Sequence, residues 1–84
     1  MDYYKVLENY LTENGYDYGR MSGLDWARLI DSRIPVSRHR LNLTWGHHMV
    51  VAVLPEDEQE YWFDRAENEH LSAKELRDSI VKEG

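Results

Sequence analysis

Apolar residues recur mostly at helical spacing along the chain, and this periodicity predicts a set of short helices. The first series consists of Tyr3, Leu7, Tyr10 and Leu11. It predicts a helix over about residues 2 to 13, ended by Gly15, since a glycine just past the last periodic residue is a common helix stop. The two glycines around Tyr16-Asp17-Tyr18 then predict a loop over about residues 14 to 21.

A second helix is predicted from Ser22 to about Ser32. Ser22 with Asp25 three positions on resembles a capping box, in which each side chain binds the backbone N–H of the other residue. Pro35 marks the end of this helix, because the residue before a proline is pushed away from helical backbone angles. The residues predicted to face the core are Leu24, Ala27 and Ile30.

The middle of the chain leaves two alternatives open. Residues 36 to 43 fit either a short helix or an extended connector. Residues 49 to 54 are apolar and rich in β-branched side chains, so a buried strand is the alternative to a helix there. We favour a helix that begins after Thr44, because its neighbours are helical and no second strand is visible to pair with it. Its predicted buried face consists of Trp45, Met49, Ala52 and Val53.

Two more helices are predicted in the C-terminal third. Pro55 suits a helix start, and the acidic residues after it suit the positive end of the helix dipole. This helix runs to about Glu69, and its predicted inward residues are Gln59, Trp62, Phe63 and Ala66. Ser72 with Glu75 forms a second capping box, which opens a last helix that buries Leu76 and Ile80 and frays at its end, from Lys82 to Gly84. The three tryptophans are predicted to anchor the core.

These elements predict an all-α fold, a single small bundle of four to five short helices over residues 1 to 84. The longest apolar run is six residues, against the roughly 20 that a membrane helix needs, so no membrane segment is expected. The chain has no cysteine and its N-terminus lacks the pattern of a signal peptide. We therefore expect a cytoplasmic protein.

Charge is distributed unevenly along the chain, whose formal net charge is −6. Residues 32 to 55 contain no Asp or Glu but carry Arg33, Arg38 and Arg40, whereas the rest of the chain balances to −9. The acidic side chains are densest in the helix that follows Pro55. Two interpretations of the arginines remain open: they contact nucleic-acid phosphates, or they pair with the acidic helix inside the fold.

The residues needed for a self-contained catalytic or metal site are missing. The chain has no cysteine and no Gly-x-Ser-x-Gly elbow that could supply a nucleophile. Gly15 and Gly19 do not form a phosphate-binding loop. His47 and His48 are adjacent, so on a helix they point about 100° apart and cannot share one metal ion as ligands four positions apart do. We expect no enzyme activity, no metal and no cofactor.

The C-terminal two thirds of the chain resemble a known helical pattern. The residues that carry the resemblance are Leu43-Thr44-Trp45-Gly46-His47-His48, the apolar run to Leu54, Glu58-Gln59, Ala66 and Leu71-Ser72-Ala73-Lys74-Glu75-Leu76. They are similar to the region after the helix-turn-helix of ParB/KorB-type DNA-partition proteins. They are closer still to small actinobacterial and phage proteins, including regulators of antibiotic clusters, in which a Ser-Arg-x-Arg segment precedes such a helix. That segment is Ser37-Arg38-His39-Arg40 here.

The resemblance divides the chain into a tyrosine-rich N-terminal helix and loop, residues 1 to 21, and a ParB-like helical region, residues 22 to 81. It implies a compact bundle from a family that often binds DNA, of phage or mobile-element type. Only residues 22 to 41 are available for the upstream helix-turn-helix, so the recognition helix is expected to be missing or trimmed.

Two functional hypotheses follow. The first is a small DNA-associated regulator that contacts DNA through Arg33, Arg38, His39, Arg40 and Thr44. Three arginines are few, so this hypothesis calls for a homodimer or a larger partner. The alternative is a phage-type module that binds and perturbs a host protein, with partner-binding residues at Tyr16, Tyr18, Glu56 and Glu60.

Overall fold

A computed structural model describes residues 2 to 83 and shows a bundle of five α-helices in that range. The helices are α1 (Tyr3–Glu13), α2 (Gly23–Arg33), α3 (Trp45–Ala52), α4 (Glu56–Asn68) and α5 (Ala73–Glu83). No strand occurs among these residues, so the all-α prediction is confirmed and the strand alternative for residues 49 to 54 is wrong. No helix of the described range combines the length and the apolar character needed to cross a membrane.

Helix α1 begins and ends as its sequence predicts. The Asp2 side chain accepts a hydrogen bond from the backbone N–H of Lys5, which satisfies one of the free donors of the first turn. At the other end, Gly15 has a φ of 80°, a left-handed conformation that glycine adopts without steric cost. The N–H of Tyr16 donates to the Leu11 carbonyl over 2.8 Å, which closes the helix end in a Schellman-type turn.

Helix α2 has its predicted capping box, formed by Ser22 and Asp25, but the prediction of its buried face was partly wrong. Leu24 is 60% exposed. Six positions separate Leu24 from the buried Ile30, which is about 120° around the helix, so the two cannot share one face. Trp26, four positions before Ile30, packs against the core instead.

Residues 36 to 43, predicted as either a short helix or an extended connector, contain some of each. A single 3-10 turn spans Val36–Arg38, and an irregular connector leads from it to α3. A second 3-10 turn, Tyr18–Arg20, lies inside the predicted N-terminal loop, where the Asp17 side chain accepts from the N–H of Gly19.

Helix α3 lies at the centre and contacts α2, α4 and α5. Its buried residues are His47, His48, Val51 and Ala52. The predicted face is confirmed for Ala52 and Val53, which are buried, and for Met49, which packs against the core, but it was wrong for Trp45, which is 44% exposed. The helix approaches α5 closely at Gly46, where a Cβ atom would lie 3.1 Å from the Cβ of Ala73.

Helices α4 and α5 carry the predicted buried residues of the C-terminal third. Trp62 is buried, so one of the three tryptophans occupies the core interior, whereas Trp26 is half-buried. Helix α5 extends through Glu83, and an Arg65–Glu83 ion pair of 2.6 Å joins its end to α4. The fraying predicted from Lys82 to Gly84 stays a prediction, and Gly84 lies outside the described residues. The α4–α5 turn holds His70 at a φ of 54°.

Candidate functional site: the arginine segment and helix α4

The arginine segment, residues 33 to 44, contains all five residues predicted to contact DNA, and its first arginine belongs to the core scaffold. Nε of Arg33 donates to the Ala52 carbonyl over 3.0 Å, and Nη2 donates to the Leu54 carbonyl over 2.7 Å. These carbonyls lie at the end of α3, where no further helical N–H is available to them. The Arg33 guanidinium also lies 5.1 Å from the Tyr10 ring centroid.

Arg38 reaches across to the N-terminal half of α4. Its Nη1 lies 2.9 Å from a Glu60 carboxylate oxygen and 3.8 Å from Glu56. Its Nη2 donates to the Arg33 carbonyl over 2.7 Å and to the Gln59 side-chain oxygen over 3.2 Å. Both Nη groups of Arg38 therefore have partners inside the fold.

Arg40 is surrounded by three carboxylates of α4. Nη2 lies 2.7 Å from Glu60 and 3.0 Å from Asp64, and Nη1 is paired with Glu67. The bonds from Arg40 first, and those from Arg38 second, hold the pKa of Glu60 below its usual value. The acidic residues Glu56, Glu60, Asp64 and Glu67 recur every three or four positions, which places them on one face of α4.

Gln59 joins this ionic face to the core. The side chain is buried, its Nε2 donates to the Leu54 carbonyl over 2.8 Å, and its oxygen accepts from Arg38. The helical spacing of α4 predicts that Gln59 faces inward, but it does not predict this role. The available signal was the end of α3, because terminal helix carbonyls that become buried need donors from elsewhere in the chain.

His39 and His48 form an aromatic cluster beside the arginines. Their ring centroids are 5.1 Å apart, and Trp45 stacks on His48 at 6.1 Å. His39 Nε2 lies 2.8 Å from the Ile34 carbonyl, which can only accept, so this nitrogen carries a proton. The fold therefore turns the His39 ring toward the backbone of the segment.

Thr44 lies at the start of α3 and is bonded to His47. The Thr44 backbone N–H donates to His47 Nδ1 over 3.0 Å, and the threonine hydroxyl lies 2.8 Å from the same nitrogen. His47 Nε2 lies 2.7 Å from the Leu71 carbonyl, so the imidazole bridges the start of α3 to the segment before α5. This imidazole occupies the place that Glu or Gln usually takes in a capping box.

The predicted partner-binding residues fall into two separate groups. Tyr16 and Tyr18 line a groove on α1, whereas Glu56 and Glu60 belong to the face that contacts Arg38. No hydrogen bond or ion pair between residues of the range 2 to 83 joins the two groups. Within the same range, no group of three or more His, Asp and Glu side chains is placed to hold a metal ion.

No protein-family model matches the chain, and no solved structure matches it. Among curated proteins, it is similar to a protein named transcriptional regulator NovE from Streptomyces niveus, with 37% identity over 70 residues. The matched region takes in 83% of this chain but 31% of the relative's length. The chain is thus related in sequence to part of a transcriptional regulator.

Proposed function

We propose that this chain is a non-enzymatic, DNA-associated regulatory module. The observation that carries the proposal is the 37% identity with a transcriptional regulator across 83% of the chain. The resemblance to the region after the helix-turn-helix of ParB/KorB-type proteins supports the same role, with the phage or mobile-element origin that it implies. The match covers 31% of the relative's length, so the activity of the relative as a whole is not carried over.

The arginine segment is the proposed DNA contact, and its ion pairs with α4 affect the affinity of that contact for phosphate. Arg38 and Arg40 are 22% and 24% exposed and already hold carboxylates of α4. A phosphate must therefore replace or join a carboxylate, which lowers affinity compared with unpaired arginines. If three arginines each contact one phosphate, the slope of log K against log salt is about −2.7. A monomer binds weakly under these conditions, and a dimer doubles the contacts.

The test is fluorescence anisotropy of labelled duplex DNA of mixed sequence, titrated with the protein at low and at physiological salt. We expect salt-dependent binding that is lost when Arg38→Ala and Arg40→Ala are combined. The matched control combines Arg20→Ala and Arg65→Ala, which removes the same charge and also breaks ion pairs, at Asp17 and Glu69. Equal loss in both double variants, or no binding by the native chain at low salt, would overturn the proposal.

A protein-interaction module is the second candidate, and one observation favours it. Leu41 is 97% exposed and Val36 is 78% exposed, both in the stretch that connects α2 to α3. Exposed apolar side chains mark protein–protein contact sites where they form a contiguous patch. The partner that we propose for them is a second copy of the chain, because the few arginines call for dimeric DNA binding.

Sedimentation equilibrium of the native chain and of Leu41→Asp tests the self-association. We expect a concentration-dependent dimer that the aspartate variant abolishes, while Leu24→Asp, a change at another exposed leucine, leaves it intact. A native chain that is monomeric at all concentrations would contradict this candidate, and any DNA binding would then come from the arginines of a single chain.

A further inference from the structure

Two neighbouring grooves open beside α1, away from the arginine segment. The larger has a volume of about 500 Å³, and its lining includes Leu11, Thr12 and Tyr16. The smaller, of about 250 Å³, is lined by residues of α2, α3 and α5 as well. They share Tyr4, Leu7 and Tyr18 and therefore adjoin each other, and we call the two together the tyrosine groove. Its size falls in the range of small-molecule sites.

The walls of the tyrosine groove expose flat aromatic surface. Tyr4 is 50% exposed and Tyr18 is 59% exposed. The Tyr18 ring meets the Trp26 ring edge to face, with centroids 6.5 Å apart. Tyr3 lines the smaller part, donates its hydroxyl hydrogen to the Val50 carbonyl and is buried, which raises its pKa, so this phenol stays neutral. Such walls suit a planar apolar ring.

One end of the groove is cationic. Lys74 and Arg77 line the smaller part, three positions apart on one face of α5. Within residues 2 to 83, neither forms an ion pair, in contrast to Arg38, Arg40 and Arg65. Among the described residues, the buried Nε of Arg77 has no hydrogen-bond partner. Because Nε is buried, an anion in the groove would contact the Nη groups of the same guanidinium, through charge-assisted hydrogen bonds.

The acidic residues of the groove lie at its other end. Glu8 and Asp17 line only the larger part. Asp17 is engaged, because its carboxylate accepts from the N–H of Gly19 and lies 3.7 Å from Arg20. The two ends of the groove therefore differ in charge: acidic residues lie at one end, and the positively charged Lys74 and Arg77 lie at the other.

We propose that the tyrosine groove binds a small planar aromatic anion, such as an aromatic carboxylate. The ring would lie between Tyr4, Tyr18 and Trp26, and the anionic group would contact Arg77 and Lys74. This inference goes beyond the proposed DNA association and does not depend on it, because the groove shares no residue with the arginine segment. In a regulatory module, a small molecule bound at such a site could influence the activity of the module.

The first test compares two fluorescent probes of nearly the same shape. 8-Anilino-1-naphthalenesulfonate carries an anionic group, and N-phenyl-1-naphthylamine lacks it. We expect the combined change Lys74→Gln and Arg77→Gln to weaken binding of the sulfonate about tenfold or more, since hydrogen bonds between charged groups contribute most strongly. Binding of the neutral probe should change by less than about twofold, because the aromatic walls remain.

The control variant is Lys82→Gln, which removes another exposed charge from the same helix outside the groove. An equal loss of sulfonate binding in this control would show general charge attraction and overturn the site. Circular dichroism of each variant checks that the helical fold is kept.

The second test locates the ligand by NMR, with 1-naphthoate as the probe. The indole N–H of Trp26 should shift on titration, whereas that of Trp45, which is exposed outside the groove, should not. A shift at Trp45 alone, or no saturable binding of any naphthalene probe, overturns the small-molecule site and leaves the groove as a surface for a protein segment. DNA binding measured on the same samples is a separate readout, so either proposal can fail alone.

Discussion

The backbone N–H of Arg40 donates a hydrogen bond to Nε2 of His48 over 3.1 Å. Nδ1 of the same ring lies 2.8 Å from the Thr44 carbonyl, which can only accept. His48 is therefore neutral and carries its proton on Nδ1. Protonation of Nε2 would place two N–H donors opposite each other, one on His48 and one on Arg40, and would break this hydrogen bond in the middle of the arginine segment.

Stability should therefore fall as the pH drops below neutrality. Burial lowers the pKa of His48 in the folded chain, and the nearby charges of His39, His47 and Arg40 act in the same direction, against the bond to Thr44. The unfolded chain then binds more protons, so stability is full above the unfolded pKa of about 6.5 and is lost as the pH falls toward the lower folded pKa. The loss is at most about 1.4 kcal/mol per pH unit for one group. Urea unfolding at a series of pH values measures it.

Two variants compare His48 with the exposed His70. His48→Gln should remove most of the dependence between about pH 6.5 and 5, whereas His70→Gln should keep it, because His70 is exposed. A native chain with unchanged stability across this range would contradict the assignment. Loss of stability at still lower pH has a different cause, because the pKa of Glu60 is lowered by Arg40 and its contribution disappears when it is protonated.

Arg40→Ala should destabilise the fold by about 1 to 2 kcal/mol, which is more than a single surface ion pair contributes. The change leaves Glu60, Asp64 and Glu67 close together without their shared partner. Thermal or urea unfolding gives the value. Arg20→Ala is the control, because within residues 2 to 83 Arg20 pairs only with the exposed Asp17 and its loss should cost less than about 0.5 kcal/mol.

Gly46→Val should destabilise the protein by about 1 to 3 kcal/mol, because added side-chain atoms would press α3 away from α5. The nearest obstacle is the Cβ of Ala73, which has no flexible end that could move aside. Combining the change with Ala73→Gly should recover part of the loss, as a double-mutant cycle measures. If the two effects simply add, the contact is not the cause.

His70→Gly should stabilise the protein, by up to about 1 kcal/mol, since glycine adopts a left-handed conformation without the steric cost that other residues meet. The exposed His70 gives up little packing in return. Differential scanning calorimetry should show a higher Tm, and a matched His70→Ala variant should not. A Tm lowered by the glycine would show that the imidazole makes a stabilising contact.

The sequence predicted the elements well because their ends carry local chemistry. Gly15, the two Ser-x-x-acid boxes and Pro55 each act within four residues, so their effect is visible without the fold. Burial was harder to predict, because it depends on which helices meet. His47 and His48 lie in the interior while Trp45 is exposed, since α3 contacts three helices and turns its polar rings toward backbone partners.

The candidate site likewise combines features that the sequence predicts with features that depend on which helices meet. The uneven charge indicated that the arginines had partners, and the spacing of acidic residues on α4 was a signal for the ion pairs with Arg38 and Arg40. Whether the same arginines contact DNA stays a prediction. The tyrosine groove could not be predicted, because it joins α1 to residues of α2, α3 and α5 that are distant along the chain.

The central position of α3 has a consequence for folding. With eight residues, α3 is shorter than the roughly 12 to 15 that an isolated helix needs to be even marginally stable in water. It therefore forms only when its neighbours are in place, and they in turn lose their shared core without it. No half of the molecule should persist alone, so the chain should unfold in one cooperative step, and a break at any helix should weaken all five.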